Sequence, residues 1–291
     1  MTGTELPASP VVADGSALHY ALLFASPRGR DIQTAMLELG FELGRAARSP
    51  STPEVAYSRL NWWGDELARL TNATPRHPLT KRLSALCAWT SADSDLLEQM
   101  LTGARNEIGL GRIETDEQLA LHCFRNDGCA MALGVSKSFG SNRVEELVLA
   151  GIWLGRGIRL TEIVRRFNLD LIDGRILIPQ AVFQSSGASL PIGPTVPVDE
   201  NVRPALMEIL DRSDEHLARA RQLWLGRPME KMIPYWVALG LYEALNQKIR
   251  ERLKTLPPEQ IRLSQAGMLW RAWRCARSAQ RLIKTNDGDF S

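Results

Sequence analysis

The sequence predicts an all-α fold for most of its 291 residues. Apolar side chains recur at steps of three and four, which is the spacing of one face of an α-helix. Alternation of apolar and polar residues, which is typical of strands, is nearly absent. With 44% hydrophobic and 23% charged residues, the chain has enough apolar material for one large core. We therefore expect a bundle of eight or more helices.

The first helices are expected to follow a short polar tail. Residues 1–16 are small, polar and proline-bearing, so we expect them to be flexible. The apolar pattern at residues 18–47 is interrupted near Pro27, which predicts two successive helices. Ser51 is then predicted to be an N-cap, with proline in the first helical turn and Glu54 three residues after the cap.

The remaining patterns continue the bundle. Helices are predicted at residues 78–90, 93–102, 115–138, 143–170, 201–225, 229–254 and 263–284. The segment 183–201 is rich in Ser, Gly and Pro and is predicted to be a surface loop. The helices after it have broad apolar faces that need a partner surface, so a division there is disfavoured. We therefore predict one domain at residues 17–284 and a C-terminal tail at residues 285–291.

Charge and cysteine content exclude several classes of function. The chain has 35 basic and 33 acidic residues, so we expect no bulk attraction to nucleic acid. The four cysteines and four histidines lack the spacing of metal sites or of a disulfide framework. No segment approaches about 18 consecutive apolar residues, and the N-terminus does not resemble a signal peptide. We expect a cytoplasmic protein with reduced cysteines and no transmembrane segment.

Several segments, taken in order, carry a resemblance to a known family. The most specific is LGRGIRLTEIVRRFNLDLIDGRILIP at residues 154–179, which matches L-G-x-A-L-Q-L-T-N-I-L-R-D-V-x-E-D-x-x-x-G-R-x-Y-L-P without a gap. YSRLNWWGDEL at residues 57–67 is similar to R-L-x-W-W-x-x-E-L. Further matches lie at residues 19–30, 103–140, 216–249 and 262–274. On these residues the chain resembles the squalene/phytoene synthase family of prenyltransferases.

The resemblance implies an isoprenoid-synthase helical bundle with a central cavity. In this family two D-x-x-x-D motifs on facing helices bind Mg²⁺ and a prenyl diphosphate. Carboxylates at i and i+4 share one helix face, and such hard oxygen ligands hold the Mg²⁺ ions that neutralise the diphosphate. The allylic cation that ionisation leaves behind needs apolar, dry walls. The sequence should therefore supply acids at two places.

The first place lacks acids. The motif is expected within residues 39–53, yet no Asp or Glu occurs from 43 to 53, and two arginines stand there instead. Glu107 stands where the family usually has Asp. Glu38 and Glu42 form an i, i+4 pair and could be a displaced metal site, although such pairs are more often on a solvated helix face.

At the second place the acids are partly replaced. Asp170 matches the family, but Arg166 occupies the position of the leading Asp, and Arg159 and Glu162 replace Gln and Asn. Separations of three, four and four residues put these side chains on one helix face with alternating charge. We expect this face to neutralise itself through ion pairs, with Glu162 bound to Arg166, in place of a metal.

The arginines also allow a second interpretation. Guanidinium groups recognise phosphate oxygens in a bidentate manner, so a diphosphate could be bound without acids. The candidates for this role are Arg159, Arg165, Arg166 and Arg175. We favour the self-paired face because acids are available nearby.

These observations lead to one predicted function and two alternatives. We predict a non-catalytic family member with a role in assembly or as a scaffold, resembling the branch that acts in respiratory complex I assembly and also lacks the aspartates. Its partner would be a protein or a membrane-associated complex at the inner face of the membrane, and no cofactor is expected.

The first alternative is an active prenyltransferase that makes squalene- or phytoene-type products with Mg²⁺. Its candidate metal ligands are Glu38, Glu42, Glu107 and Asp170. The second alternative is a carrier or sensor that binds a prenyl diphosphate or an isoprenoid lipid without converting it.

Overall fold

Successive α-helices make up most of this computed structural model. The structure describes residues 12, 15–48, 52–140, 144–190, 200–225 and 230–288. The α-helices in this part of the chain are α1 (Ala17–Leu22), α2 (Pro27–Arg48), α3 (Pro53–Thr71), α4 (Pro78–Leu86), α5 (Ser91–Asn106), α6 (Asp116–Cys123), α7 (Cys129–Phe139), α8 (Glu145–Arg165), α9 (Phe167–Ile172), α10 (Gln180–Ser185), α11 (Arg203–Trp224), α12 (Ile233–Arg252) and α13 (Gln265–Gly288). A π-helical turn (Phe124–Gly128) joins α6 to α7, and 3-10 turns lie at Glu230–Met232 and Pro258–Gln260.

The described residues contain no β-strand, which confirms the predicted all-α class. A single parallel bridge pairs Arg112 with Ile176. In it the N–H of Ile176 donates to the carbonyl of Gly111 at 2.8 Å, and the N–H of Ile113 donates to the carbonyl of Ile176 at 2.9 Å. The bridge joins the segment after α5 to the segment after α9, and so brings two distant parts of the sequence together.

The sequence signals predicted where the first helices begin, but not the exact N-cap residue of α3. Two helices separated just before Pro27 are confirmed, and the Ser16 hydroxyl caps the first by accepting from the N–H of His19 at 3.1 Å. The N-cap of α3 is Thr52, not Ser51, because the helix begins with Pro53 at its first position. Ser51 itself lies outside the described residues.

Two predicted helices are interrupted. The pattern at 115–138 is divided by the π-helical turn. The pattern at 143–170 breaks at Arg166, whose backbone leaves the helical region with φ −96° and ψ 3°. A break of this kind changes which side chains share a face, because residues after it no longer follow the phase of the helix before it.

The predicted loop and tails are only partly covered. Helix α10 occupies the start of the loop predicted at 183–201, and residues 191–199 lie outside the described part of the chain. Most of the predicted N-terminal tail is likewise outside it. At the other end, α13 runs to Gly288, so it extends into the segment predicted to be a tail.

Helix α7 lies between two hydrophobic clusters. Met131 and Val135 belong to the cluster that includes α8, α11 and α12. Ala130 and Leu133 belong to the cluster of α2, α3, α4 and α5. Because opposite faces of α7 supply both clusters, ten of its eleven residues are buried.

Helix α8 approaches the π-helical turn through a glycine. A Cβ atom at Gly155 would lie 2.2 Å from the carbonyl oxygen of Asp127 and 2.7 Å from the Cα of Gly128. Both contacts are with backbone, which cannot rotate away as a side chain can. Glycine at this position therefore sets how closely α8 packs on the turn, one helical turn before Arg159.

We predict that Gly155→Ala destabilises the protein, because the added methyl group forces two backbone segments apart. The cost should be about 1–3 kcal/mol, as for other overpacked sites. Gly40→Ala is the matched control. Gly40 also lies inside a helix, but its Cβ would meet only the Cε atom of Met100 at 3.7 Å. That change should stabilise the helix by roughly 0.5–1 kcal/mol. Urea denaturation measures both effects, and equal free energies of unfolding for the two variants would contradict the packing argument.

Candidate functional site

A cluster of charged side chains lies where several helix ends converge. We call it the arginine–glutamate cluster, and its members are Arg48, Glu107, His122, Arg159 and Arg175. They come from the end of α2, the C-cap of α5, α6, α8 and the turn after α9. The bridge between Arg112 and Ile176 positions Arg175 beside Glu107, because it ties together the two segments that carry them.

Glu107 is the centre of the cluster. Its side chain is 1% exposed, and Nη1 of Arg48 donates a hydrogen bond to its Oε2. Nη2 of Arg159 lies 3.6 Å from Oε1, and Nη2 of Arg175 lies 3.9 Å from Oε2. One buried carboxylate thus faces three guanidinium groups.

The surrounding charges keep Glu107 ionised. Burial by itself would raise its pKa, but Arg159, Arg48, His122 and Arg175 together lower the pKa to about 2. A buried carboxylate without such partners would take up a proton instead. The charge of Glu107 is therefore balanced by protein groups at neutral pH.

His122 is held in its neutral form. Arg159 donates to its Nε2 from Nε at 3.1 Å and from Nη2 at 2.8 Å, so this nitrogen acts as an acceptor. Burial and the adjacent Arg159 lower the pKa of His122 to about 3. Nη1 of Arg159 also lies 3.9 Å from a carboxylate oxygen of Asp127. His122 thus extends the contacts of Arg159 without adding charge.

The predicted ion pair between Glu162 and Arg166 is wrong. Glu162 binds Arg165 at 2.8 Å, not Arg166, and it also accepts from the hydroxyl of Tyr242 at 3.4 Å. Arg166 is exposed at the break between α8 and α9, while Asp170 is buried on α9. Because the helix is not continuous, these residues do not form one face.

Asp170 nevertheless remains in a basic environment. Burial raises the pKa of Asp170, and the positive charges of Arg175, Arg166 and Arg159 oppose that rise without cancelling it. The backbone N–H of Arg175 donates to the Asp170 carbonyl at 2.7 Å. Asp170 therefore lies beside the arginine–glutamate cluster and contributes to its electrostatics through space.

The four diphosphate-binding candidates are separated by the fold. Arg159 and Arg175 belong to the arginine–glutamate cluster, whereas Arg165 is engaged by Glu162 and Arg166 is exposed. Within the described residues, Nε and Nη2 of Arg175 and of Arg112 are buried without a hydrogen-bond acceptor. Of the four candidates, Arg175 therefore has two buried donors that make no hydrogen bond, one of which faces Glu107 at 3.9 Å, and Arg165 has one, its Nε.

The four metal candidates do not converge. Glu38 binds Arg82 at 3.0 Å, Glu42 binds Arg45, and Glu107 is surrounded by arginines. No group of three or more His, Cys, Asp or Glu side chains in the described part of the chain is placed to hold a metal ion. These donors do not fit the Mg²⁺ ions that the family resemblance implies, because Mg²⁺ requires several oxygens around each ion.

Sequence reasoning missed two members of the cluster. Arg48 was noted only as part of an acid-free run, and His122 was considered only as a metal ligand. The replacement of acids by arginine was the one available signal for Arg48. Nothing in the sequence connects His122 with Arg159, because they are 37 residues apart and meet only in the folded bundle.

Comparison with known proteins agrees with the fold and with the residue patterns. The sequence model of the squalene/phytoene synthase family matches residues 12–267. The chain belongs to this family. Among curated members, it is 25% identical to a phytoene synthase of Arthrospira platensis over 214 residues, which is 69% of this chain and 68% of the relative. It is 22% identical to a presqualene diphosphate synthase of Rhodopseudomonas palustris over 259 residues, or 89% of this chain and 92% of the relative.

Solved structures support the isoprenoid-synthase fold. A dehydrosqualene synthase in complex with a ligand superposes with a TM-score of 0.76, 14% identity and coverage of 92% of both chains. A squalene synthase from Alicyclobacillus acidocaldarius gives a TM-score of 0.70 with 16% identity, covering 81% of this chain and 88% of the other. The predicted fold class is confirmed.

We predict that Glu107→Gln destabilises the protein because it leaves the guanidinium groups of the cluster without their common counter-charge. At neutral pH the cost should be about 3 kcal/mol, at the lower end for a buried pair because the side chain of Arg48 is 43% exposed. Glu42→Gln removes a carboxylate from a solvent-facing ion pair with Arg45 and should cost less than about 1 kcal/mol. Similar urea midpoints for the two variants would show that the cluster does not depend on Glu107.

The cluster also predicts a pH dependence. The pKa of Glu107 is lowered from 4.5 to about 2, so its stabilising effect is present above pH 4.5 and is lost as the pH falls toward 2. His122 is neutral in the fold because its pKa is lowered from 6.5 to about 3, so acidification through that range also destabilises the protein. The Glu107→Gln variant should not show the part of the acid destabilisation that begins near pH 4.5 in the unaltered protein. Urea unfolding midpoints of the unaltered protein and of Glu107→Gln, measured along a pH series, check this prediction. Parallel plots of midpoint against pH for the two proteins would contradict it.

Proposed function

We propose that this protein is a non-catalytic member of the squalene/phytoene synthase family that serves as a scaffold in the assembly of a protein complex. The observation that carries the proposal is the position of Glu107, which lies buried among Arg48, Arg159 and Arg175. Arg48 comes from the segment where the first acidic motif is expected, and Arg159 from the segment of the second.

The charges around Glu107 support the proposal that no metal ion assists the ionisation of a prenyl diphosphate in this protein. In the reaction that the family resemblance implies, metal cations held by carboxylates neutralise the charge that develops on the departing diphosphate. In this protein the oxygens of Glu107 already face guanidinium groups, so bringing a divalent cation close would place like charges together in a region shielded from solvent. Of the candidate acids outside the cluster, Glu38 and Glu42 have their own basic partners, and Asp170 lies within the positive field of Arg175, Arg166 and Arg159.

We expect no turnover of prenyl diphosphates. The full chain, incubated with farnesyl or geranylgeranyl diphosphate and Mg²⁺, should release no diphosphate and form no squalene- or phytoene-type product above a protein-free blank. An active squalene synthase or phytoene synthase, assayed in parallel, shows that the conditions support the reaction. Diphosphate release that Asp170→Asn abolishes would overturn the proposal and favour an active prenyltransferase with an atypical metal site.

A second candidate function is binding of a prenyl diphosphate or isoprenoid lipid without conversion. The observation that favours it is the set of buried N–H groups on Arg175 and Arg112 that lack acceptors among the described residues. Both arginines also face a carboxylate, Glu114 at 3.6 Å from Arg112 and Glu107 at 3.9 Å from Arg175. Buried donors that make no hydrogen bond are nevertheless costly, and an anionic group would satisfy them.

We predict that, if this second function holds, a non-hydrolysable farnesyl diphosphate analogue binds without Mg²⁺ in titration calorimetry. Arg175→Gln should weaken that binding by about tenfold or more, the loss expected for a charged hydrogen bond. Arg45→Gln, at a solvent-facing position on α2, should leave it unchanged. Binding that requires Mg²⁺ would favour the prenyltransferase. No binding with or without Mg²⁺ would exclude the binding function and leave the scaffold role as the proposal.

The location of the protein is also part of the proposal. No helix in the described residues is long and apolar enough to cross a membrane. We place the protein in the cytoplasm, in contact with the inner face of the membrane, and its partner in a complex at that surface.

A further inference from the structure

Helix α13 is attached to the bundle by a narrow stripe of small side chains. Among its residues 265–281, whose side chains the structure describes, the buried ones are Met268, Ala272, Ala276 and Ala279, spaced by four, four and three. This spacing describes a single line along one side of the helix. Because three of the four are alanines, this part of α13 contributes little apolar side-chain area to the core, and Cys275 packs beside the stripe as a half-buried residue.

The opposite side of α13 carries large aromatic and basic side chains. We call Leu269, Trp270, Trp273, Arg274 and Arg277 the outer face of α13. Leu269, Trp270 and Trp273 are 50%, 54% and 47% exposed, which is unusual for residues that normally contribute to a core.

The tryptophans and arginines of the outer face form pairs one helical turn apart. The guanidinium of Arg274 lies 4.6 Å from the ring centre of Trp270, and that of Arg277 lies 4.8 Å from the ring centre of Trp273. Such contacts orient each indole beside a positive charge. The outer face therefore presents apolar rings and guanidinium groups side by side over two turns.

The charge of this region differs from that of the whole chain. Residues 265–288, which form α13, contain five basic residues and one acidic residue, Asp287, although the chain as a whole has nearly equal numbers, 35 and 33. Glu243 and Glu251 on the adjacent α12 pair with Arg221 and Lys248. The positive potential around α13 is therefore not cancelled by these neighbouring acids.

The combination fits an anionic lipid surface. Tryptophan side chains accumulate at the headgroup level of membranes, where the indole is partly apolar and partly hydrogen-bonded. Arginines beside them gain free energy from anionic headgroups, and a helix that lies flat can use its whole outer face at once. We propose that α13 docks on an anionic lipid membrane through its outer face. This inference rests on the location at the inner face of the membrane proposed above, and vesicle binding tests it separately from the assay for diphosphate release.

The proposal is tested with the full chain and lipid vesicles. Vesicles of phosphatidylglycerol and phosphatidylcholine in equal amounts should bring the protein down on centrifugation, and vesicles of phosphatidylcholine alone should not. Arg274→Gln with Arg277→Gln should reduce the partition coefficient by about tenfold or more, given the usual contribution of each basic residue near an anionic surface. Trp270→Ala with Trp273→Ala should reduce it to a similar extent by removing the inserted rings. Added salt should weaken binding of the unaltered protein.

Matched controls separate this surface from general effects of charge and aromaticity. Arg76→Gln with Lys81→Gln removes two exposed charges elsewhere, and Trp62→Ala removes a ring that is 44% exposed on α3. Both controls should bind like the unaltered protein. The outer-face variants should keep the helical circular dichroism and the thermal midpoint, because their altered side chains are exposed to solvent. Trp62→Ala should keep the helical circular dichroism.

Three outcomes would overturn the proposal. The first is no binding to the anionic vesicles, and the second is equal binding by the outer-face variants and the controls. The third is a dimer of the unaltered protein in light scattering that becomes a monomer when Trp270 and Trp273 are replaced, which would assign the outer face to a second copy of the chain.

Discussion

The burial of the Glu107 carboxylate is the constraint around which this end of the bundle is arranged. An ionised carboxylate that is almost completely removed from water needs compensating charge, and Arg48, Arg159 and Arg175 supply it. Each arginine comes from a different part of the chain, so one carboxylate fixes the relative positions of α2, α8 and the turn after α9. The same contacts bring positive charge to the places where the family resemblance implies carboxylates and Mg²⁺.

Two other buried acids, Glu66 and Asp93, follow the same rule, whereas Asp170 does not, because burial raises its pKa. Glu66 accepts from the backbone N–H of Arg76 and of His77 at 2.7 and 2.8 Å, and from the Thr80 hydroxyl. Although burial opposes the shift, these hydrogen bonds and that of Arg69 lower the pKa of Glu66 to about 2. Its role is structural, because it holds the connection between α3 and α4.

The buried pair of Asp93 and Lys137 does the same for α5 and α7. Lys137 donates to the Asp93 carboxylate and to the carbonyl of Ala88 at 2.8 Å, and Asp93 also closes the capping box with Thr90. Buried acids in this protein are thus used to join helices. Glu107 differs from Glu66 and Asp93 because it faces three guanidinium groups, one of them from the segment where the family resemblance implies the first acidic motif.

Sequence by itself determined the class of the fold and the family. Helical periodicity, the proline and cap signals, and the ordered motifs depend on neighbours along the chain, so they are visible without a structure. The same reasoning identified the missing acids and named Glu107, Arg159 and Arg175, but it could not show that they meet. It also failed at Arg166, where the pattern remained helical although the backbone leaves the helix before α9.

Only the tertiary structure decided how the charges pair. Helical spacing predicted an ion pair between Glu162 and Arg166. In the structure Glu162 binds Arg165, and Arg159 contacts Glu107 and His122. The physical reason is that ion pairs form between groups that are close in space and shielded from water, and both conditions depend on how α2, α5, α6 and α8 pack. Sequence spacing gives the candidates on one helix, but packing between helices selects the partners.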